Sequence, residues 1–560
     1  MIARSPAALL FAAVALYAGL AVHAMRGHSA TFDEGTHLPA GYTHLALGDH
    51  RLNPEQPPLV KLLAAAPMLL APPTLLTDDP AWVTARQWEF GRRFLYRWND
   101  GERLLFLGRL PIVALGAALI VSVFLWTRCR FGATAGAVAL GLAALAPDVL
   151  AHGSLVTTDL ALALFFLLAV VALDSLTRRA TPLRLLALGS AVGAALATKF
   201  SALILGPVLG VLAGVALVGT RPTWARAWRL ALLLGAAAAL ALLVVWASYG
   251  FRREISPDPG AAAAARVSLE EPRAKAWERA VVLAAGSGIL PEDYARGVLF
   301  VATHSEARPT FLLGRLSDEG FRLYFVVTFL LKTPLPLLVL VGFAVARAPR
   351  LPRREAAFVW LPVLVYAAFA VTRGLQIGHR HLLPIYPFLF AAAGEAGARL
   401  ARWRPAGRVI LGVLLGWYAV GTLRVHPHHL AYFNELGGGP RNGFRLLVDS
   451  NLDWGQDLKR LREWMDERGV RRIKLSYFGS ADPRYYGIDA EMLPGYTAPH
   501  ASHVTREIQR GDLVAISATN LQGVYLDPAD RSLMERFRRL EPVGRVGYSI
   551  LVYRADFAWP

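Results

Sequence analysis

With 560 residues, 55% of them hydrophobic, and a mean hydropathy of +0.39, the chain exceeds what soluble domains carry and reads as an integral membrane protein with a water-exposed part. The formal net charge of +18 would suggest nucleic acid in a soluble protein. Here no zinc-finger, RNP-type or helix-turn-helix pattern accompanies it, and the lone Cys129 excludes an intrachain disulfide or a cysteine metal cluster.

Apolar runs recur at about 7–23, 105–126, 131–149, 156–174, 183–198, 200–219, 229–249, 322–346, 356–372, 380–397 and 407–423, which predicts about eleven transmembrane helices. Arg4, the first apolar core and Ala21-Val22-His23-Ala24 imitate a signal peptide; the length of the core and the acidic pair behind it favour an uncleaved anchor. Residues 57–104 are proline-broken, then amphipathic and aromatic, as expected of helices lying in the membrane interface. The segment 250–320 reads as a second interfacial loop with short helices.

Alternate loops separate by charge. Arg128/Arg130, Arg178/Arg179/Arg184, Arg221/Arg226/Arg229, Arg347/Arg350/Arg353/Arg354 and Arg402/Arg404/Arg408 mark five consecutive loops as cytoplasmic by the positive-inside rule. The other set then faces outward: Thr31–Lys61, His152–Asp159, the join at Lys199, 250–320, and Arg373–His381. The expected organisation is a transmembrane unit, 1–423, with outward loops 25–104 and 250–320, followed by a soluble extracytoplasmic α/β domain, 424–560. In the latter, Phe444–Val448, Arg472–Tyr477, Asp512–Ser517 and Tyr548–Tyr553 read as strands and Asp457–Arg468 as an amphipathic helix.

The outward set holds the titratable residues. Asp33-Glu34 stands where the first span ends, with His37, His44, Asp49, Glu55 and Lys61 behind it. Carboxylates at such a boundary are costly to desolvate, so a function or a helix-capping role has to explain them. An outward carboxylate can take the proton of an acceptor hydroxyl, and a nearby lysine or arginine can hold an anionic leaving group such as phosphate. Together these parts describe sugar transfer from a lipid-phosphate donor.

The pair Asp33-Glu34, the segment Gly48-Asp49…Asn53-Pro54-Glu55-Gln56-Pro57-Pro58-Leu59-Val60-Lys61, and His152-Gly153…Thr157-Thr158-Asp159 resemble motifs of the protein O-mannosyltransferases and related GT-C membrane glycosyltransferases, including the bacterial lipid A aminoarabinose transferase group. Ala197-Thr198-Lys199 and His379-Arg380-His381 fall where that superfamily has basic residues. Tyr432–Glu435 and Asp449–Asp457 resemble a bacterial glycosyltransferase-like subgroup. The resemblance implies an α-helical GT-C enzyme in the bacterial plasma membrane. It would take a polyprenyl-phosphate sugar donor, invert at the sugar carbon, and serve a protein, lipid or glycan acceptor among membrane lipids. Asp33 would be the base, Glu34 would orient it or touch the acceptor, and Asp159 would be a second site carboxylate. Lys61, Lys199 and Arg380 would meet the donor phosphate, with Glu55, His37 and His379 as weaker substrate contacts. No MIR-like insertion is present, so a protein acceptor is not implied with the rest. No cofactor and no metal ligand is assigned; a divalent metal bridging phosphate and carboxylate stays open.

Each residue has a plainer reading. Lys199 can snorkel, Arg380 can pair structurally with an outer-loop carboxylate, and Asp159 can cap its helix. Asp449, Asp453 and Asp457 do not fit an EF-hand and suit helix capping, and His426, His428 and His429 suit a membrane surface better than a metal. The competing function is a multi-span transporter or lipid flippase, which would place ionisable residues near span centres and show inverted repeats; neither is read here.

Overall fold

The computed structural model describes residues 6–219, 223–271, 273–304, 308–372, 374–496 and 504–560. Arg221 and Arg373 lie outside the described residues. Among the described residues seven helices are each long and apolar enough to cross a membrane: Pro6–Arg26, Gly101–Phe131, Asp159–Arg178, Phe200–Val218, Trp224–Ser248, Arg353–Val371 and Arg404–Val425. On the helix Trp224–Ser248, Trp228, Leu232 and Leu243 are exposed, as lipid-facing side chains are.

The other four apolar runs depart from straight spans. Residues 131–149 become Ala133–Ala144 and Pro147–Gly153, bent by 55°. The run 322–346 is not one span: Tyr324–Lys332 and Leu335–Arg350 meet at 115°. Proline explains both breaks, since Pro147 and Pro334 lack an N–H and force the preceding residue out of the helical region. The remaining two are shorter helices, Pro182–Leu196 and Tyr386–Arg402, the second buried along most of its length.

Arginines of separate loops meet at one end of these helices. Arg130 reaches Asp174 at 2.5 Å, Arg354 reaches Asp174 at 2.9 Å, and Arg178 reaches Glu355 at 3.2 Å. The loops carrying Asp33, His152, Lys199 and Arg380 gather at the opposite ends. There, Glu34–Leu47, Leu59–Ala65 and Gln87–Tyr96 make a compact helical layer. A Cβ on Gly91 would stand 1.8 Å from the Gly35 carbonyl, so this crossing of two helices needs the bare backbone. Residues 250–320 fold as helices Pro259–Glu270, Ala276–Gly286 and Glu292–His304 and a hairpin of β1 (Thr310–Leu312) and β2 (Arg315–Ser317).

After Val425 the chain builds a five-stranded mixed sheet from β3 (Arg472–Ser476), β4 (Asp489–Met492), β5 (Leu513–Ser517), β6 (Gly544–Val546) and β7 (Ile550–Arg554), in the order β4-β3-β5-β7-β6. β3 runs parallel to β4 and β5, and β7 antiparallel to β5 and β6. Helix Leu458–Glu467 and strands β3, β5 and β7 match the sequence reading. Phe444–Val448 does not form a strand; Pro440–Arg445 is a 3-10 turn. Its buried residues Phe444, Leu447 and Val448 repeat at helical spacing, not in alternation.

Two apolar clusters cross the boundary between the helical unit and the sheet. One joins Leu38, Phe90 and Phe94 to Leu461, Ile473 and Tyr477; the other joins Phe388 and Leu389 to Phe444, Leu447 and Ile516.

Candidate active site

The acidic loop after the first helix is held from both sides. Ser29 N–H donates to the Gln456 carbonyl at 3.0 Å, Phe32 N–H to the Trp454 carbonyl at 2.8 Å, and Ser480 Oγ donates to the Phe32 carbonyl at 3.0 Å. These bonds fix the backbone that presents Asp33. Asp33 is the N-cap position of helix Glu34–Leu47, yet its side chain makes no cap bond. It turns to Arg380 instead, whose Nη1 donates to Asp33 Oδ2 at 3.0 Å.

The same Arg380 nitrogen lies 3.4 Å from Asp159 Oδ2, and Lys199 Nζ lies 2.5 Å from Asp159 Oδ1. Two carboxylates and two cations from four distant stretches thus form one connected cluster. Asp159 opens helix Asp159–Arg178 without a capping bond from Thr158, so its buried side chain is committed to Lys199 and Arg380. Lys199 does not snorkel: it is 8% exposed, and burial pulls its pKa below the ordinary lysine value although Asp159 pushes the other way. Arg380 is locked further by donating Nε–H to Ser450 Oγ at 3.1 Å and by lying 4.2 Å from the Trp454 ring.

The cluster borders a cavity of about 760 Å³. Asp33, His37, Glu55, Lys199, Arg380 and His381 all line it, and Leu203, Val298, Phe325 and Ala370 add an apolar wall. Glu55 accepts from Gln87 Nε2 at 2.9 Å through one oxygen, while its other oxygen is buried with no hydrogen-bond partner. His37 Nδ1 sits 2.9 Å from the Val156 carbonyl, which fixes the ring.

Four expected site residues lie off the cavity wall: Asp159, behind Lys199 and Arg380, and Glu34, Lys61 and His379. Glu34 is fully buried and holds Arg109 in a two-pronged pair, Nε to Oε1 at 2.8 Å and Nη2 to Oε2 at 2.7 Å, while accepting the Thr31 and Val156 amides. Burial alone would raise the Glu34 carboxyl; Arg109 and the two amides reverse that and hold it below the ordinary glutamate value. Both Glu34 oxygens are thus engaged in holding the loop to Arg109 and Val156. Lys61 Nζ donates to the Asn53 carbonyl at 2.8 Å and so braces the loop behind the cavity. His379 is buried, 2.6 Å from the Tyr386 hydroxyl and 3.6 Å from Asp148.

A hydropathy reading passes over three buried charges, Arg109, Asp148 and Lys332, because each sits inside an apolar run. Ionisable groups within spans are themselves the signal that would have found them. Lys332 Nζ donates to the Leu430 and Asn451 carbonyls at 2.8 and 2.6 Å, which ties the bent helix to the turns that precede the sheet. Asp449, Trp454 and His381 border the cavity too, although no site role is expected of them from the sequence. In the sheet region Asp453 accepts from Thr519 N–H at 2.8 Å at the start of a short helix, and Asp457 pairs with Arg460 at 2.6 Å. Among the described residues no group of three or more His, Cys, Asp or Glu side chains is arranged to hold a metal ion.

A family profile described as dolichyl-phosphate-mannose-protein mannosyltransferase matches residues 102–249. The structure is similar to that of ArnT from Cupriavidus metallidurans bound to undecaprenyl phosphate, with a TM-score of 0.51 over 97% of each chain at 14% identity. The apo state of that protein aligns with a TM-score of 0.50 at 15% identity, covering 97% of this chain and 96% of the other. No curated protein sequence matches the chain. The shared architecture is the GT-C glycosyltransferase fold, a multi-pass membrane fold carrying a small sheet region at its C-terminus.

Proposed function

We propose that this chain, built on the GT-C fold, transfers a sugar from a polyprenyl-phosphate donor to an acceptor hydroxyl at the outer face of the bacterial plasma membrane. The observation that carries it is Asp33, Lys199 and Arg380 on the wall of one cavity with an adjoining apolar wall. The ArnT structure is described with undecaprenyl phosphate bound, which makes the same carrier class the first to test here.

In this mechanism the apolar wall takes the first isoprene units, and the donor phosphate lies against Lys199 and Arg380. Arriving phosphate competes for the bond that Arg380 gives Asp33, which leaves the Asp33 carboxylate to the acceptor. The acceptor oxygen attacks the anomeric carbon as its proton passes to Asp33. The bond from that carbon to the phosphate oxygen breaks with inversion. The electron pair goes to the phosphate, whose developing charge the two cations stabilise. Asp159 does not touch substrate; it sets the positions of Lys199 and Arg380.

The test is to incubate the purified full-length protein in lipid nanodiscs with a set of polyprenyl-phosphate sugars and follow release of polyprenyl phosphate together with acceptor glycosylation in cell-envelope extract. Transfer from at least one donor supports the reading. Binding of no polyprenyl phosphate, or transport of the carrier without cleavage of the sugar bond, contradicts it.

A further inference from the structure

Part of the cavity wall has no part in the chemistry above. It is lined by the rings of Phe32, Trp88, Phe478, Tyr496 and Tyr525. Phe32 lies 4.6 Å from Trp88 and 5.6 Å from Phe478, and Tyr496 lies 4.8 Å from Tyr525, centroid to centroid. Phe478 is the buried floor, whereas Tyr496 is 43% exposed at the rim. Phe32 and Trp88 belong to the helical unit; the other three come from the sheet region. The patch therefore exists only where the two meet.

Its polar groups are the Asp449 carboxylate, the amides beside Trp88 and, exposed near Tyr525, the Arg308 guanidinium. Asp449 lines the cavity and accepts the Tyr525 hydroxyl at 2.6 Å. Its backbone has φ +57, a left-handed conformation that few residues other than glycine adopt. It is held there by donating N–H to Thr519 Oγ1 at 3.0 Å and by accepting the Ser450 amide at 2.6 Å. Such strain persists where surrounding bonds over-determine it, and it gathers at ligand sites. Beside Trp88, Gln87 bridges Asn53 and Glu55, and both Asn53 Oδ1 and Glu55 Oε2 are buried without a partner.

We infer that this aromatic patch, with Asp449, is the acceptor subsite and that it takes a carbohydrate ring, so that the acceptor is a glycan. A pyranose offers one face of C–H bonds with partial positive charge and a rim of hydroxyl donors. The negative faces of the aromatic rings suit the first, and carboxylate and amide oxygens suit the second. A phosphorylated lipid headgroup on these rings would lie against the Asp449 carboxylate, which opposes it, whereas the cation nearest Tyr525, Arg308, stands exposed. The inference rests on the transfer reading for its direction: Phe32 and Asp33 line the same cavity, so a ring stacked at this patch shares it with the proposed base.

The test uses the full-length protein in nanodiscs and saturation-transfer NMR with three probes, methyl α-D-glucopyranoside, methyl α-D-mannopyranoside and methyl β-D-galactopyranoside, beside a Gly-Ser-Thr-Gly peptide. The expected result is transfer to ring C–H protons of at least one glycoside and none to the peptide. Tyr496→Phe should keep the signal, whereas Tyr496→Leu and Trp88→Ala should weaken it about fivefold to tenfold. Undecaprenyl phosphate should bind all three variants within twofold of the unaltered protein, which also shows that they are folded. A signal from the peptide alone, no glycoside signal from a protein that binds undecaprenyl phosphate, or equal signals from Tyr496→Leu and Tyr496→Phe would overturn the inference. Failure of the donor reading shows separately, as an unaltered protein that does not bind undecaprenyl phosphate.

Discussion

Lys199 and Asp453 show how burial turns two ordinary side chains into measurable quantities. In the proposed mechanism Lys199 gives the donor phosphate one charge-assisted contact, and such bonds contribute about 1.5–3 kcal/mol. Lys199→Ala is therefore expected to weaken undecaprenyl phosphate binding by about tenfold to a hundredfold, as read by titration; an unchanged affinity would remove it from the phosphate site. Because its pKa is depressed, that binding should also fade on the alkaline side before a free lysine would titrate. Asp453 is fully buried, with one oxygen bonded to Thr519 and the other unpartnered, and burial pushes its pKa up to about 8. The folded chain then holds a proton that the unfolded chain releases near pH 4, so stability falls as pH rises from about 4 to about 8. Asp449, raised by burial to about 6, adds to the lower half of that window. Asp453→Asn should abolish the decline above pH 6 in a plot of thermal midpoint against pH. An unaltered slope there would show that Asp453 is ionised in the fold.

At the level of elements, what the sequence disclosed depended on how many positions carried the signal. Seven long spans were legible because each rests on about twenty apolar residues in a row. The breaks at Pro147 and Pro334 were also written in the sequence, but an average over a window hides a single residue. Phe444–Val448 was misread because five apolar-rich residues cannot distinguish alternation from helical spacing. Asp33, Lys199 and Arg380 could be expected at one membrane face from charge sorting, while their convergence on one cavity came from tertiary packing. Glu34 is the instructive case: adjacent to Asp33 in sequence, it points to Arg109, 75 positions away. Glu34→Gln would leave a buried guanidinium short of its counter-charge, a loss of about 3–5 kcal/mol. The expected outcome is a lower thermal midpoint with transfer falling in parallel. Lost transfer at an unchanged midpoint would instead make Glu34 an acceptor contact.

Across the whole molecule, the sheet region completes the site. It supplies Trp454 and Ser450 to Arg380, the Trp454 and Gln456 carbonyls to the acidic loop, and Asp449 to the cavity. Shared apolar clusters bind it to the helices, so the helical unit does not hold Asp33 in place alone. The assembly gathers Asp33, Lys199 and Arg380 at one end of the helix array and the Arg130–Asp174 and Arg178–Glu355 pairs at the other, a layout that suits the proposed transfer from a lipid-anchored donor. The most direct test of that account is Asp33→Asn in the full-length protein, comparing sugar transfer with undecaprenyl phosphate binding. Transfer should fall by about 10²–10⁴-fold, the contribution of a general base, while carrier binding stays the same or tightens as Arg380 is freed. Transfer at the unaltered rate in a variant that still binds the carrier would contradict it.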